Sequence, residues 1–507
     1  MERSQQRWAL AVLCGVLFLT FLDTTIVAVA LAPIQSHLHA GVDELQWVIG
    51  GYAVAFAALM LVFGAIGDRY GRRKMMLAGL MLFVAGSIVA ALAPSPLVLI
   101  IARVIMGIGA AASEPGTLSM LRHLYPEETS RAKALGTWAA VASFALAIGP
   151  VLGGILVGLD GWPTIFWFNA VAGAIAVGFA FRVLPESSDR DVGAIDKLGS
   201  IVGPVALAVL VVGIVEGELR GYGAPIIIAC FVVAFVGALG FAWTEHRARN
   251  PLFRLGFLRN IPFSGALVLA FSVYFAIFAI FFFVALYLEV VKGDSAYLIA
   301  GVFAAMMVTM ILASLASGRW LRGTNVRVFT GLGAFLAAIG IALSDYALSG
   351  PTHPLLLAIT LAIAGIGFGF VVVPVTSIAL STVPPEHSGM AAAATNTMRA
   401  LGITMSVAIL GSFLNGELTG GLSAKLARLG VPPAFRQVVI NAVETGGVAG
   451  HTGGAANTYG PIVDRVINAA YSSFHAGLTE SLVVATALMV LGGVISLLTR
   501  SRHTQAP

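Results

Sequence analysis

The sequence predicts an all-α membrane protein with 14 transmembrane helices. Of its 507 residues 58% are hydrophobic and only 10% are charged, whereas a soluble protein carries about 25% charged residues. The apolar runs are long enough for many spans of about 20 residues each. The charged residues gather in the short segments between these runs, as expected where the bilayer excludes charge.

Hydropathy and short polar links place the spans along the chain. We predict them at 9–34, 45–67, 74–94, 96–121, 132–158, 163–183, 197–217, 222–243, 262–288, 295–317, 328–347, 354–380, 388–412 and 478–499. With the N-terminus inside, about 21 of the Lys and Arg residues fall in cytoplasmic segments and about 6 outside. We therefore expect the cytoplasmic (inner) membrane, with both termini cytoplasmic and the first span retained.

Two polar links, at 184–196 and 245–260, divide the chain into groups of six, two and six spans. The predicted units are an N-terminal six-helix bundle at 1–190, two extra transmembrane helices with linkers at 191–260, and a C-terminal six-helix bundle at 261–507. The last unit contains a long extracytoplasmic loop at 413–477. Its middle is Gly-rich, and its flanks at 434–443 and 461–474 are expected to form amphipathic helices on the outer leaflet.

Other functional classes find no support in the sequence. The net charge of +5 comes from bases in short loops, so it does not indicate nucleic-acid binding. Cys14 and Cys230 lie in apolar spans, with no other potential metal ligands near them in the sequence. We see no metal spacing, phosphate-binding loop or catalytic cluster, and expect no enzyme activity and no cofactor. An ion gradient is then the expected energy source.

Two acids lie inside predicted spans. Asp23 is at the middle of the first span, where a carboxylate costs about 2.5–3.5 kcal/mol on insertion scales. It suits a proton-coupled cation site, and the alternative is a structural acid paired with an Arg or Thr. Glu114 is a second protonation site or a recognition site for cationic drugs, at a level in the cavity that we leave open. Arg103 lies eleven residues before it, roughly 16 Å along a helix, too far for a direct pair.

A stretch of small residues runs through the fifth span. It contains Gly136, Ala145, Gly149, Pro150, Gly153 and Gly154. Three of them, four residues apart, form a stripe that lets another helix backbone approach closely. Pro150 removes a backbone donor and predicts a kink.

The loop after the second span reads GAIGDRYGRRK. Its residues of interest are Gly64, Asp68, Arg69, Gly71, Arg72 and Arg73. We interpret it as a gating loop that bridges two parts of the molecule, with Asp68 facing a helix N-terminus. Glu216 and Glu218, at the end of a later span, are expected to be solvated.

These motifs together resemble the major facilitator superfamily, in its fourteen-span drug:proton antiporter branch (EmrB/QacA type). The stretch at 136–154 is similar to the antiporter motif, the loop at 64–73 to the cytoplasmic signature, and Arg103 with Gly107 and Gly109 to the fourth-span motif. Ala145 stands where the family has Gly and Met106 where it has Gln. Glu114 is not part of the family pattern.

The resemblance implies two six-helix halves around a midplane cavity and alternating access. Arg103 would then assist proton release from a nearby acid. Asn396 and Arg399 resemble an Asn-Thr-x-Arg motif of the family, and for Arg399 we favour a structural contact over a substrate contact. Glu289 stands where relatives carry Gln and is either a site residue or interfacial.

The sequence therefore predicts a proton-coupled multidrug efflux transporter for lipophilic, cationic compounds. Its expected partners are drugs, protons and the bilayer, together with a periplasmic adaptor in cells with two membranes. Export of an endogenous lipid, siderophore or antibiotic fits the same motifs. A non-transporting membrane sensor is the alternative from another class.

Overall fold

The computed structural model describes most of the chain as helices. The described residues are 3–188, 196–248, 251–294, 296–320, 326–349, 353–384, 387–433, 436 and 461–498. Within these ranges the secondary structure is helical and includes no strand. The fold is that of an all-α, multi-pass membrane protein.

The helices of the amino-terminal part are α1 (Arg3–Ile26), α2 (Leu31–Leu38), α3 (Val42–Tyr70), α4 (Arg72–Ala91), α5 (Pro96–Leu124), α6 (Glu128–Asp160) and α7 (Pro163–Val183). Two helices follow, α8 (Gly199–Arg220) and α9 (Pro225–Arg247). The rest are α10 (Ile261–Phe278), α11 (Ala285–Val290), α12 (Ala296–Trp320), α13 (Val326–Leu348), α14 (Pro354–Ser381), α15 (Ser388–Gly416), α16 (Leu422–Arg428) and α17 (Pro461–Leu498).

Span counting by length and composition gives 12 helices among the described residues, or 13 if the bent α6 is one span. The two parts of α6 meet at 47° between Leu146 and Val151. Pro150 lies at this break, as expected for a residue that cannot donate the helical hydrogen bond. The predicted span at 388–412 is helical in α15 but is not among these 12. The count of 14 stays a prediction.

Because short links join successive spans, spans that are neighbours in the chain cross the bundle in opposite directions. We call the side that carries the α3–α4 loop at Gly71 the loop end, and the opposite side the far end. The helices α1 to α7 pack together as a first half, and α10 to α17 as a second half. Between them α8 and α9 pack on each other, while α8 also contacts α3 and α15. The predicted domain bounds at 190 and 260 stay predictions.

Helices extend into the predicted long outer loop at 413–477 from both sides. The α15 helix runs on through a π-helical turn (Glu417–Gly421) into α16. The last long helix begins at Pro461, and its candidate span begins at Asn468 rather than at 478. The polar residues of 461–474 lower hydropathy without breaking the helix, so this flank continues into the span. Apart from Arg436, the predicted helix at 434–443 and the Gly-rich middle lie outside the described residues.

Candidate functional site

Asp23 and Arg103 form an ion pair inside the first half. Arg103 Nη1 lies 2.5 Å from Asp23 Oδ2, and their side chains are 1% and 0% exposed. Arg103 Nε also donates to the carbonyl of Val48 at 2.9 Å. The guanidinium carbon lies 4.6 Å from the centre of the Tyr52 ring. Because a guanidinium keeps its charge when buried, it needs these partners on every side.

Asn169 completes the surroundings of this carboxylate. Its Nδ2 donates to Asp23 Oδ1 at 2.7 Å, so each carboxylate oxygen accepts a hydrogen bond. Sequence reasoning missed Asn169, although it is an amide inside an otherwise apolar span. A proton arriving on Asp23 would weaken its hold on Arg103.

The helix that carries Asp23 changes from α to 3-10 geometry just beyond it. The α1 helix ends at Ile26 and continues as a 3-10 turn, Val27–Ala30, before α2. Thr25 Oγ1 donates to the carbonyl of Leu146 in α6, at 3.2 Å. A change of charge at Asp23 therefore lies within one turn of a 3-10 segment that contacts α6.

Small residues of α6 make that contact possible. A Cβ on Gly149 would overlap the side chain of Thr25, and one on Gly153 would lie 2.8 Å from the carbonyl oxygen of Ile26. Close approach of two helix backbones needs such glycines. The predicted stripe thus packs on the helix of Asp23.

The other residues of the 136–154 stretch face elsewhere. Ala145 is buried. Gly136 faces α12 in the second half, where a Cβ would lie 3.0 Å from the Ser314 carbonyl oxygen. Gly154 has open space around its Cα, and the side chain of Pro150 lies outside the described part of the structure. The stretch therefore serves two different helix contacts.

Glu114 lies at another level and belongs to a second cluster. It is 1% exposed, and within the described residues its Oε2 has no hydrogen-bond partner. The positive charge that acts on it is that of Arg399. Ten residues separate Glu114 from the end of α5, which places it roughly 15 Å from the loop end. The level that the sequence left open is thus the loop-end side.

Arg399 connects the two halves at this level. Its Nη1 donates to Asn396 Oδ1 at 2.9 Å, and its Nη2 donates to Thr376 Oγ1. The guanidinium lies 4.8 Å from the centre of the Trp138 ring, in the first half, and 5.3 Å from that of Tyr274, in the second. The aromatic partners were missed because nothing local distinguishes them from core residues.

The loop at 64–73 contacts the segment that follows α7. Arg72 Nε donates to Asp68 Oδ1 at 2.8 Å, and Arg72 Nη1 donates to Ser187 Oγ at 3.3 Å. The backbone N–H of Arg73 donates to Glu186 Oε1 at 3.1 Å. Gly71 has φ +123°, a conformation that favours glycine. Sequence analysis had assigned Glu186 and Ser187 only to a linker.

The same loop also reaches the second half. The Asp68 carboxylate lies against Gly389 in the first turn of α15, where a Cβ would overlap it. A Cβ on Gly64 would lie 2.6 Å from that of Ala393. Nearby, Arg122 Nη1 donates to the carbonyl of Leu380 at 2.5 Å, near the end of α14. These contacts join the two halves at the loop end, while the Arg69 guanidinium lies 5.4 Å from the Tyr70 ring centre.

Two further acids differ in what the structure describes. Glu289 lies in α11, one residue beyond the candidate span Ile261–Leu288, and its side chain is outside the described part. Glu216 is 9% exposed, so the expectation that it is solvated is wrong. It accepts hydrogen bonds from Trp47 Nε1 and Arg220 Nε, both at 2.6 Å. The Trp47 bond links α8 to α3, which sequence could not show.

Comparisons with known proteins agree with this architecture. The Major Facilitator Superfamily model matches residues 13–407. The Multidrug resistance protein Stp of Mycobacterium tuberculosis (strain CDC 1551 / Oshkosh) is 32% identical over 492 residues, covering 97% of this chain and 91% of Stp. The Methylenomycin A resistance protein of Bacillus subtilis (strain 168) is 32% identical over 418 residues, covering 82% and 89%.

A solved structure shares the fold. The human organic anion transporter MFSD10 (TETRAN) superposes with a TM-score of 0.63 at 15% identity, covering 97% of this chain and 99% of that one. At this identity the likeness concerns the fold alone. The fourteen-span branch stays a prediction, while the family model and the relatives identify a transporter rather than an enzyme. The chain belongs to the major facilitator superfamily.

Proposed function

We propose that the protein exports lipophilic, cationic drugs in exchange for protons by alternating access. The observation that carries the proposal is the buried Asp23–Arg103 pair, next to the 3-10 turn that follows α1. The names of the two bacterial relatives, a multidrug resistance protein and an antibiotic resistance protein, support drugs as the substrate class.

Proton binding at Asp23 is the coupling step of this proposal. A neutral carboxyl no longer attracts Arg103, which keeps the Val48 carbonyl and the Tyr52 ring as partners. The loss of that attraction acts on the end of α1 and, through Thr25, on the glycines of α6. One proton moving across 100 mV supplies about 2.3 kcal/mol. This equals roughly a 50-fold concentration gradient, since about 1.4 kcal/mol is tenfold.

The second cluster is the proposed drug site. Glu114 offers a carboxylate oxygen without a partner among the described residues, and Trp138 and Tyr274 offer aromatic faces. A lipophilic cation is attracted to both kinds of group. Arg399 now lies over these two rings, so a bound cation would have to replace its guanidinium there. The drug and Arg399 therefore compete, which couples binding to the contact between the halves.

The orientation in the membrane follows from the same proposal. The loop end faces the cytoplasm with both termini, in the inner membrane, and the proton gradient is the energy source without a cofactor. In cells with two membranes a periplasmic adaptor is a further proposed partner, which co-purification from such a host would test.

Proton movement in proteoliposomes tests the function directly. Purified protein is reconstituted with an internal pH dye and given lipophilic cations, neutral drugs, zwitterions and lipids. We expect cations to start a proton flux that Asp23→Asn abolishes. The matched control is Asp345→Asn, which neutralises a carboxylate that accepts a hydrogen bond from Thr479 in the second half.

The possible results distinguish drug:proton exchange from the alternative functions. Flux that persists in Asp23→Asn refutes coupling at that carboxylate. Flux only with lipids replaces drugs by an endogenous cargo. If the folded protein shows no proton flux with any of the compounds, a sensor without transport is favoured.

A further inference from the structure

An apolar cavity of about 210 Å³ lies beside α8 and α9. It lies where α3 of the first half and α15 of the second half meet the two extra helices. Its walls include Leu61, Leu207, Leu210, Phe241, Leu252 and Thr397. The cavity thus touches both halves and the pair of helices between them.

The cavity lies at hydrocarbon depth. Leu61 is nine residues before the end of α3, Leu207 eight residues after the start of α8, and Thr397 nine residues after the start of α15. At 1.5 Å per residue each is roughly 12–14 Å from the loop end. The hydrocarbon core of a bilayer is about 30 Å thick, so the cavity falls within one leaflet.

The cavity opens towards the surrounding bilayer. Ala238 of α9 lines it and is exposed, and the neighbouring face of α9 presents Val236 and Leu239, which are 59% and 57% exposed. Apolar side chains at this depth face lipid rather than water. The lining is apolar except for Thr397, so water would find almost no partners there. An empty space of this kind forfeits dispersion contacts that an alkyl chain would supply.

We propose that this cavity binds one acyl chain of a phospholipid from the leaflet at the loop end. The acyl chain lies between α9 and the boundary of α3 with α15, against the residues of α8 that line the cavity. The α8 helix contacts both α3 and α15, so a bound chain supports the present arrangement of the two halves. The site does not depend on what the protein exports.

A photoactivatable phospholipid tests the site. A diazirine is placed midway along the acyl chain, and the lipid is mixed into phosphatidylcholine proteoliposomes with the full-length protein. After irradiation, mass spectrometry maps the labelled residues. We expect label on Leu61 of α3 together with Leu207 or Leu210 of α8, since a chain inside the cavity reaches both walls.

Variants that fill the cavity distinguish lipid bound inside it from lipid on the outer surface of the protein. Ala238→Phe should lower the labelling of Leu61 by about tenfold, which corresponds to about 1.4 kcal/mol of binding. Val236→Phe on the outward face of the same helix should leave it unchanged. Leu207→Phe fills the cavity from the opposite wall and serves if Ala238→Phe fails to fold.

Three results would overturn the proposal. One is label confined to outward residues such as Val236. Another is Leu61 labelling that both filling variants leave intact in folded protein. The third is loss of the Leu61 label when a transported drug is added in excess, which would make the drug the occupant instead of the lipid.

Discussion

Asp68 of α3 lies directly against Gly389 of α15, across the boundary between the two halves. Gly389 is the second residue of its helix, and a helix start carries a partial positive charge that favours an anion. Arg72 holds the other side of the same carboxylate at 2.8 Å. Closure at the loop end therefore depends on a charge in one half and on a missing side chain in the other.

Gly389→Ala should open the loop end. The added Cβ would overlap the Asp68 carboxylate, and overpacking of this kind costs about 1–3 kcal/mol. Such an energy shifts a two-state equilibrium by roughly 5- to 150-fold. Spin labels at Tyr70 and Ser381, in protein without its two native cysteines, should report longer distances between the halves.

The matched control lies in the same helix. Gly416 has open space around its Cα, so Gly416→Ala should keep the distances of the parent protein. If Gly389→Ala leaves them unchanged as well, the Asp68 contact does not hold the halves together.

The Asp23–Arg103 pair should behave as a unit in stability measurements. Removing one partner of a buried pair leaves a charge without compensation and costs about 3–5 kcal/mol. Asp23→Asn retains an acceptor for Arg103, so we expect the lower part of this range. Arg103→Met leaves the carboxylate with Asn169 alone and should cost more. Thermal unfolding in detergent measures both.

The double variant Asp23→Asn/Arg103→Met provides the decisive comparison. Without either charge, it should be more stable than Arg103→Met while proton flux stays absent. If the stability loss of the double variant equals the sum of the losses in the two single variants, the pair contributes no coupling energy. That result would contradict the close contact of 2.5 Å between the two side chains.

The residues of these clusters were predictable one by one, but their partners were not. Asp23 and Arg103 are conspicuous because charge is rare in apolar runs. They are 80 positions apart, and the rotation of α1 against α5 follows from packing that no local pattern encodes. The separation of Arg103 from Glu114 could be predicted, because a single helix fixes it. That Arg399 acts on Glu114 could not.

Helix ends were less predictable than spans. Hydropathy falls where polar residues begin, although the helix continues, and for this reason the helix of the last predicted span begins at Pro461, well before residue 478. In the sequence, Glu186 has no feature that distinguishes it from other polar linker residues. Its contact with Arg73 arises only in the folded structure. Glu216 likewise looked like a solvated end of a span. It is buried, and it accepts a hydrogen bond from Trp47 of α3. This contact joins helices far apart in the sequence, so only the tertiary structure reveals it.

Two glycines of the 136–154 stretch should respond differently to the same change. Gly149→Val would force the side chain of Thr25 aside and disturb α1 near Asp23. We expect a loss of about 1–3 kcal/mol in stability and a strong fall in drug-driven proton flux. Gly154→Val meets open space and should stay within about 0.5 kcal/mol. Equal damage by both variants would show that the stretch does not act through its contact with α1.

The bond between Trp47 and Glu216 should decide how firmly α8 is attached to α3. Trp47→Phe removes the indole donor and leaves the exposed Arg220 as the partner that the structure shows for Glu216. A hydrogen bond to a charged group contributes about 1.5–3 kcal/mol, so unfolding should occur at lower temperature and amide exchange in α8 should accelerate. Trp167→Phe, at a position 43% exposed in α7, is the control for the loss of an indole. If amide exchange in α8 is the same in both variants, packing rather than this bond attaches the extra helices to the first half.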